Sequence, residues 1–152
     1  EGVPFAEMVA ARTAEFPQHA AHIALYASNW LASLPGPVPG TPELVERLAA
    51  RGVPQYAITN FGADSWALFR PTFPVLDHMR DIVISAVERL TKPDPAIFRL
   101  AARRFGRTPE TMLFIDDNPA NIASAQALGW QVHHFTGDWR ALEAQLQALG
   151  LL

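Results

Sequence analysis

An apolar run, Leu113-Phe114-Ile115, stops at two adjacent carboxylates, Asp116 and Asp117. Asn118 then offers an N-cap oxygen, Pro119 suits the first helical position, and Ile122 to Leu128 reads as a helix ended by Gly129. This succession is a buried strand, a tight turn and a helix, the repeating step of an open α/β sheet. It puts both carboxylates at the carboxyl end of the strand, where such sheets bind their ligands. Adjacent carboxylates repel unless a cation or a shared proton relieves them. One reading is therefore a Mg²⁺ site, because hard oxygen ligands suit that ion. The other is a capping Asp beside a solvated Asp.

The same step recurs upstream and downstream. Thr41 as cap, Pro42 at N1 and the stripe Leu44, Val45, Leu48 predict a helix closed by Gly52. Val53 to Ile58 reads as a strand that stops at Thr59-Asn60-Phe61-Gly62. A short helix is expected over 63–69, irregular chain over 70–81, and a strand over Asp81 to Ser85. Pro95 to Phe105 reads as a helix with Ile97, Phe98, Ala101, Ala102 and Phe105 inward, leaving Arg99, Arg103, Arg104 and Arg107 on a solvated face. Trp130 to Phe135 is a further strand and Trp139 to Leu149 the last helix. Strands alternating with helices predict right-handed crossovers and a parallel sheet covered on both faces.

The chain starts differently. Apolar residues at helical spacing predict two amphipathic helices, near 4–15 and 18–33, broken at Pro17 and covering one another's stripes. His19 and His22 share a face there, but no carboxylate is placed nearby in sequence to complete a metal site. Leu34-Pro-Gly-Pro-Val-Pro-Gly40 is a stiff, irregular connection. It separates a helical part, residues 1–37, from the α/β part, residues 38–152.

Composition narrows the partners. The 152 residues carry a net charge of −3 with no Lys/Arg run, which argues against nucleic acid. No stretch is apolar enough to span a bilayer, and no signal peptide is visible, so a cytoplasmic protein is expected. There is no cysteine, so disulfides and thiolate metal sites are excluded. The chain begins Glu1-Gly2-Val3 without methionine, as a fragment, a processed form or an incomplete record would.

Polar residues follow three of the strands: Thr59-Asn60, Lys92 and Asp116-Asp117. In a parallel sheet all three groups project from one edge. A hydroxyl from Thr59, backbone N–H groups of Asn60 and Phe61, the Lys92 ammonium and a cation on the aspartates together suit a phosphate dianion. His133-His134 reads as a strand-end surface pair, and Trp66 and Phe69 as local packing near the Thr59 loop.

The order of these motifs resembles the haloacid dehalogenase-like (HAD) hydrolase superfamily. An apolar strand ending in Thr-Asn is followed by Lys92-Pro-Asp-Pro-Ala-Ile-Phe98 and then by Phe114-Ile-Asp-Asp-Asn-Pro-Ala-Asn-Ile-Ala-Ser-Ala125. The likeness is closest to the helical-cap branch that includes sugar-phosphate phosphatases. It implies a Rossmann-like parallel sheet with the remnant of a helical cap over residues 1–37. It also implies a Mg²⁺-dependent phosphatase of small phosphorylated metabolites. By that resemblance Thr59 and the N–H of Asn60 bind the transferring phosphoryl group, and Lys92 neutralises it. Asp117 would contact Mg²⁺ directly and Asp116 through water, while Asn118 and Asn121 shape the turn.

The family's first motif, Asp-x-Asp on the first strand, supplies the nucleophile and the general acid/base. Aspartates occur here only at 64, 77, 81, 94, 116, 117 and 138, none two apart, so that strand is expected to be absent. Its place in the family is between the strands ending at Thr59 and Asp116. Those two should then stand about 10 Å apart, two strand spacings, with unpaired edges. Residues 1–152 alone are expected to be inactive, and to associate with a missing N-terminal segment or with a second copy of the chain. Two other functions compete with the phosphatase. In a 2-haloacid dehalogenase no metal is needed, and the resemblance implies no paired aspartates. A degenerate core would act as a binding module. A phosphoacceptor receiver domain is discarded, because its Asp pair should precede the Thr and Lys.

Overall fold

A computed structural model describes residues 3–152. Glu1 and Gly2, on which the expectation of an incomplete chain rests, lie outside the described residues.

Two helices come first, α1 (Phe5–Glu15) and α2 (Ala20–Ser28). Pro17 breaks them as anticipated, but the second helix is shorter than its apolar stripe. Asn29 ends it by donating its side-chain amide to the Leu25 carbonyl, competing with the helical ladder, and Trp30–Ser33 forms a separate 3₁₀ turn. The two helices do not fully cover one another. Neither holds a buried residue, and Met8, Leu25 and Tyr26 stay exposed.

After the irregular connection come α3 (Thr41–Ala50), β1 (Gln55–Thr59), α4 (Ala63–Phe69), β2 (Met79–Ile84), α5 (Ser85–Glu88) and α6 (Pro95–Phe105). They are followed by β3 (Leu113–Asp116), α7 (Pro119–Ala127), β4 (Gln131–His134) and α8 (Trp139–Ala148). The cap of α3 differs from the reading: Gly40, not Thr41, is the N-cap, at φ +84°. A side chain there is barred twice, by that left-handed backbone and by the Trp139 ring, 2.5 Å from where a Cβ would stand. Thr41 turns its hydroxyl back to the Val38 carbonyl instead.

The strands form two separate parallel pairs, β1 with β2 and β3 with β4. β1 and β3 share no hydrogen bond, so each keeps one unpaired edge. Between them lies a cavity of about 510 Å³ lined by Tyr56, Ala57, Ile58, Leu113, Phe114 and Ile115, among others. No residue of β1 is fully buried, and Ile115, inside a strand, is 39% exposed. The open edges on either side of this cavity explain both facts.

Helices hold the two half-sheets together from either face. Successive strand residues point to opposite sides, so Phe114 and Leu113 enter different cores. On one face Ile97, Phe98, Ala101 and Phe105 of α6 pack with Val83 of β2, Phe114 of β3 and Ala125 of α7. On the other, Leu44 and Leu48 of α3 meet Leu142 and Leu146 of α8, with Leu113 against them. The inward face predicted for α6 is the one observed. Of its arginines, Arg104 is not merely solvated: it forks onto Asp81 at 2.9 and 2.5 Å and also pairs with Glu88.

Candidate phosphoryl site

The turn after β3 is built by short-range bonds. Asn118 Oδ1 accepts the Ala120 N–H and caps α7, with Pro119 in the first turn. The Asn118 N–H donates back to Asp116 Oδ1 at 2.9 Å. Asn121, buried one turn into α7, donates its amide to the same oxygen at 2.8 Å. These bonds aim Asp116 across the rim at Lys92, whose Nζ donates to Asp116 Oδ2 at 2.7 Å. The pair is largely desolvated, with side chains 12% and 6% exposed. Burial pushes the Asp116 carboxyl up, but the Lys92, Asn118 and Asn121 donors and the lysine charge outweigh it. The group is held below its ordinary value of 3.8.

Lys92 is placed by the loop after β1. Asn60 clasps its backbone, donating to the Lys92 carbonyl and accepting the Lys92 N–H, both at 2.9 Å. Thr59 ends β1 beside this clasp, in register with Ile84 of β2. Thr59-Asn60, Lys92 and Asp116 thus meet at one edge, and Asp117 lines a hollow there with Asp116, His134 and Thr136.

Three details depart from the sequence reading. The Phe61 N–H is not offered to a ligand, because it donates to Ser85 Oγ at 2.9 Å, and Ser85 returns its proton to the Phe61 carbonyl at 3.2 Å. Ser85 had no sequence signal: its role depends on β2 lying beside β1. The histidines of β4 are split by strand alternation. His133 Nδ1 meets Gln145 Oε1 at 2.5 Å, facing α8, whereas His134 Nε2 donates to the Asp117 carbonyl at 3.0 Å and lines the site. Trp66 and Phe69 pack locally as read, against Phe61 at 5.5 and 5.1 Å between ring centroids. The His19 and His22 rings stand 6.3 Å apart on the surface.

The donor set suits Mg²⁺ through one carboxylate. Asp116 already accepts three hydrogen bonds, whereas the exposed Asp117 carboxylate accepts none among the described residues. Magnesium keeps several waters and takes one or two carboxylates plus substrate phosphate, so a site this sparse remains a fit. No group of three or more His, Asp or Glu side chains converges among the described residues.

Relatives sharpen the picture. A sesquiterpene phosphatase of Aspergillus oryzae is 29% identical over 93 residues, 61% of this chain and 47% of that protein. A probable pseudouridine-5'-phosphatase of Drosophila melanogaster is 33% identical over 103 residues, covering 62% and 44%. The chain therefore spans less than half the length of these curated relatives. An HAD family enzyme of Bacteroides thetaiotaomicron, solved with magnesium and inorganic phosphate, is 27% identical with a TM-score of 0.59, over 67% of this chain and 56% of that one. A predicted HAD-like hydrolase of Porphyromonas gingivalis shares the fold, with a TM-score of 0.67 over 87% and 64% at 21% identity. A model of the haloacid dehalogenase-like hydrolases matches residues 5–129. With that match covering most of its length, the chain belongs to the haloacid dehalogenase-like hydrolase family.

Proposed function

We propose that these residues form most of the core of a cytoplasmic, Mg²⁺-dependent phosphatase of a small phosphorylated metabolite, with the nucleophilic Asp on a strand outside residues 1–152. That strand is seated in the cavity between β1 and β3, and helices α1 and α2 are the remainder of a cap. The observation that carries the reading is the desolvated Lys92–Asp116 pair, 2.7 Å long, at the rim where Thr59, Asn60 and Asp117 also gather. A phosphoryl group needs fixed positive charge and donors in a site that sheds water. Lys92 supplies the charge, held in place by Asp116 in front and Asn60 behind. Thr59 offers a hydroxyl to a phosphoryl oxygen. Asp117 would hold Mg²⁺, which when bound draws charge from the transferring group.

The test is hydrolysis of p-nitrophenyl phosphate by a protein comprising these residues and the strand that carries Asp-x-Asp. Activity should require Mg²⁺, fall about 100-fold or more in Asp117→Asn, and be missing from residues 1–152 alone. Turnover untouched by EDTA, together with halide release from 2-chloropropionate, would favour the dehalogenase. Full activity of residues 1–152 would overturn the placement of the nucleophile. Bound Mg²⁺ and phosphate without turnover would leave a binding module.

A further inference from the structure

A second hollow, of about 340 Å³, opens against the same rim on the side of α1 and α2. Its walls include Phe5 and Met8 of α1, Tyr26 of α2, Trp30, and Asn60 and Phe61 of the loop after β1. Asn60 joins it to the phosphoryl site, since its amide clasps the backbone of Lys92. The walls are tied together by rings. Trp30 meets Phe61 edge-on at 5.7 Å between centroids, and Phe5 approaches Trp30 at 6.3 Å. The Phe5 N–H also donates to Asp64 Oδ2 at 3.2 Å, pinning α1 to α4.

We infer that this hollow takes the leaving-group end of the substrate and that this end is apolar, an alkyl, prenyl or aryl group rather than a sugar. The inference rests on the phosphatase reading of the adjacent rim. Size agrees, since small-molecule sites start at about 300 Å³. The chemistry argues further. A sugar brings hydroxyls, each needing a partner once water is gone. Here the Asn60 amide is turned to the Lys92 backbone and one Asp64 oxygen to the Phe5 N–H, which leaves the other Asp64 oxygen, Ser65 and the Tyr26 hydroxyl as the few polar groups of an otherwise apolar wall. Among the described residues no Lys, Arg or His lines the hollow. Met8 and Tyr26, 46% and 53% exposed, are instead the kind of surface that an apolar ligand would cover.

Calorimetry with Mg²⁺ on the protein that also carries the Asp-x-Asp strand, its nucleophilic Asp replaced by Asn so that the esters stay intact, compares geranyl monophosphate, geraniol, glucose 6-phosphate and inorganic phosphate. Geranyl monophosphate should bind about ten-fold tighter than glucose 6-phosphate or more. Met8→Gln, on an exposed helical position, should erode that preference and leave inorganic phosphate unchanged. If glucose 6-phosphate and inorganic phosphate bind as well as the geranyl ester, the apolar assignment falls and the phosphoryl site stands. If geraniol binds as tightly as its phosphate, and Lys92→Met changes neither, the phosphoryl reading falls and the hollow keeps its ligand. Binding of none of the four overturns both.

Discussion

Replacing Lys92 by Met removes the charge that Asp116 faces. Both side chains are nearly out of solvent, at 12% and 6% exposed, so the carboxylate is left without its counter-ion in a poorly solvated place. Breaking a buried pair from one side costs about 3–5 kcal/mol. Asp116 keeps the Asn118 N–H and the Asn121 amide, which brings the expected loss to roughly 2–3 kcal/mol. For a chain of this length that is about 4–12 °C in Tm. Urea unfolding across pH isolates the cause. In the wild type the folded Asp116 carboxyl sits below 3.8, so its contribution is complete above that value and is lost as pH falls through the folded one. In Lys92→Met burial raises the same group, so acid relieves the variant. The gap between the two proteins should be widest near neutral pH and close towards pH 4. The double variant Lys92→Met/Asp116→Asn should recover most of the loss. A gap under about 0.5 kcal/mol that ignores pH is what a solvated surface pair would give, and it would refute the argument.

Other perturbations test the scaffold. Gly40→Ala should cost on the order of 2–4 kcal/mol in urea unfolding, because it sets a Cβ on the Trp139 ring in a left-handed backbone. Arg104→Ala should lower stability at neutral pH by about 1 kcal/mol, since the fork onto Asp81 is partly exposed. The Arg104 bonds hold the folded Asp81 carboxyl below 3.8, so the difference should persist above that value and vanish as pH falls through the folded one. Ser85→Ala removes the acceptor of the half-buried Phe61 N–H, and should cost about 1 kcal/mol and speed exchange of that amide.

What sequence could reveal was local. Asn118, Pro119 and the apolar run before them announce β3, its turn and α7 within a dozen residues, because a cap and a helix start need only near neighbours. The four strands and the inward face of α6 follow from periodicity in the same way. The site's rigging was not legible, because its bonds join residues far apart in the chain. Asn60 reaches 32 residues to the Lys92 backbone, and Ser85 reaches 24 to Phe61. Arg104 looks like a solvated helix charge until β2 brings Asp81 beneath it. The aromatic hollow needed α1, Trp30 and the β1 loop to meet, and no spacing along the chain encodes that meeting.

The cavity between the half-sheets and the polar rim are one feature seen from two directions. The carboxyl ends of β1 and β3 lie together, because Asn60, one residue past β1, holds the backbone of Lys92, whose ammonium meets Asp116 at the end of β3. Any strand that paired in parallel with both would emerge between Thr59 and Asp116. Its last residues would face Lys92 and Asp117 with no further guidance from loops. The unpaired edges that leave Ile115 exposed are therefore also what would fix a nucleophile's position, to the tolerance of a hydrogen-bonded ladder. Helices α3, α6, α7 and α8 keep the two edges apart by packing on both faces. The geometry at the rim is thus set in part by apolar contacts behind it, and on the proposed reading residues such as Leu113 and Phe114 would determine where a phosphoryl group could react.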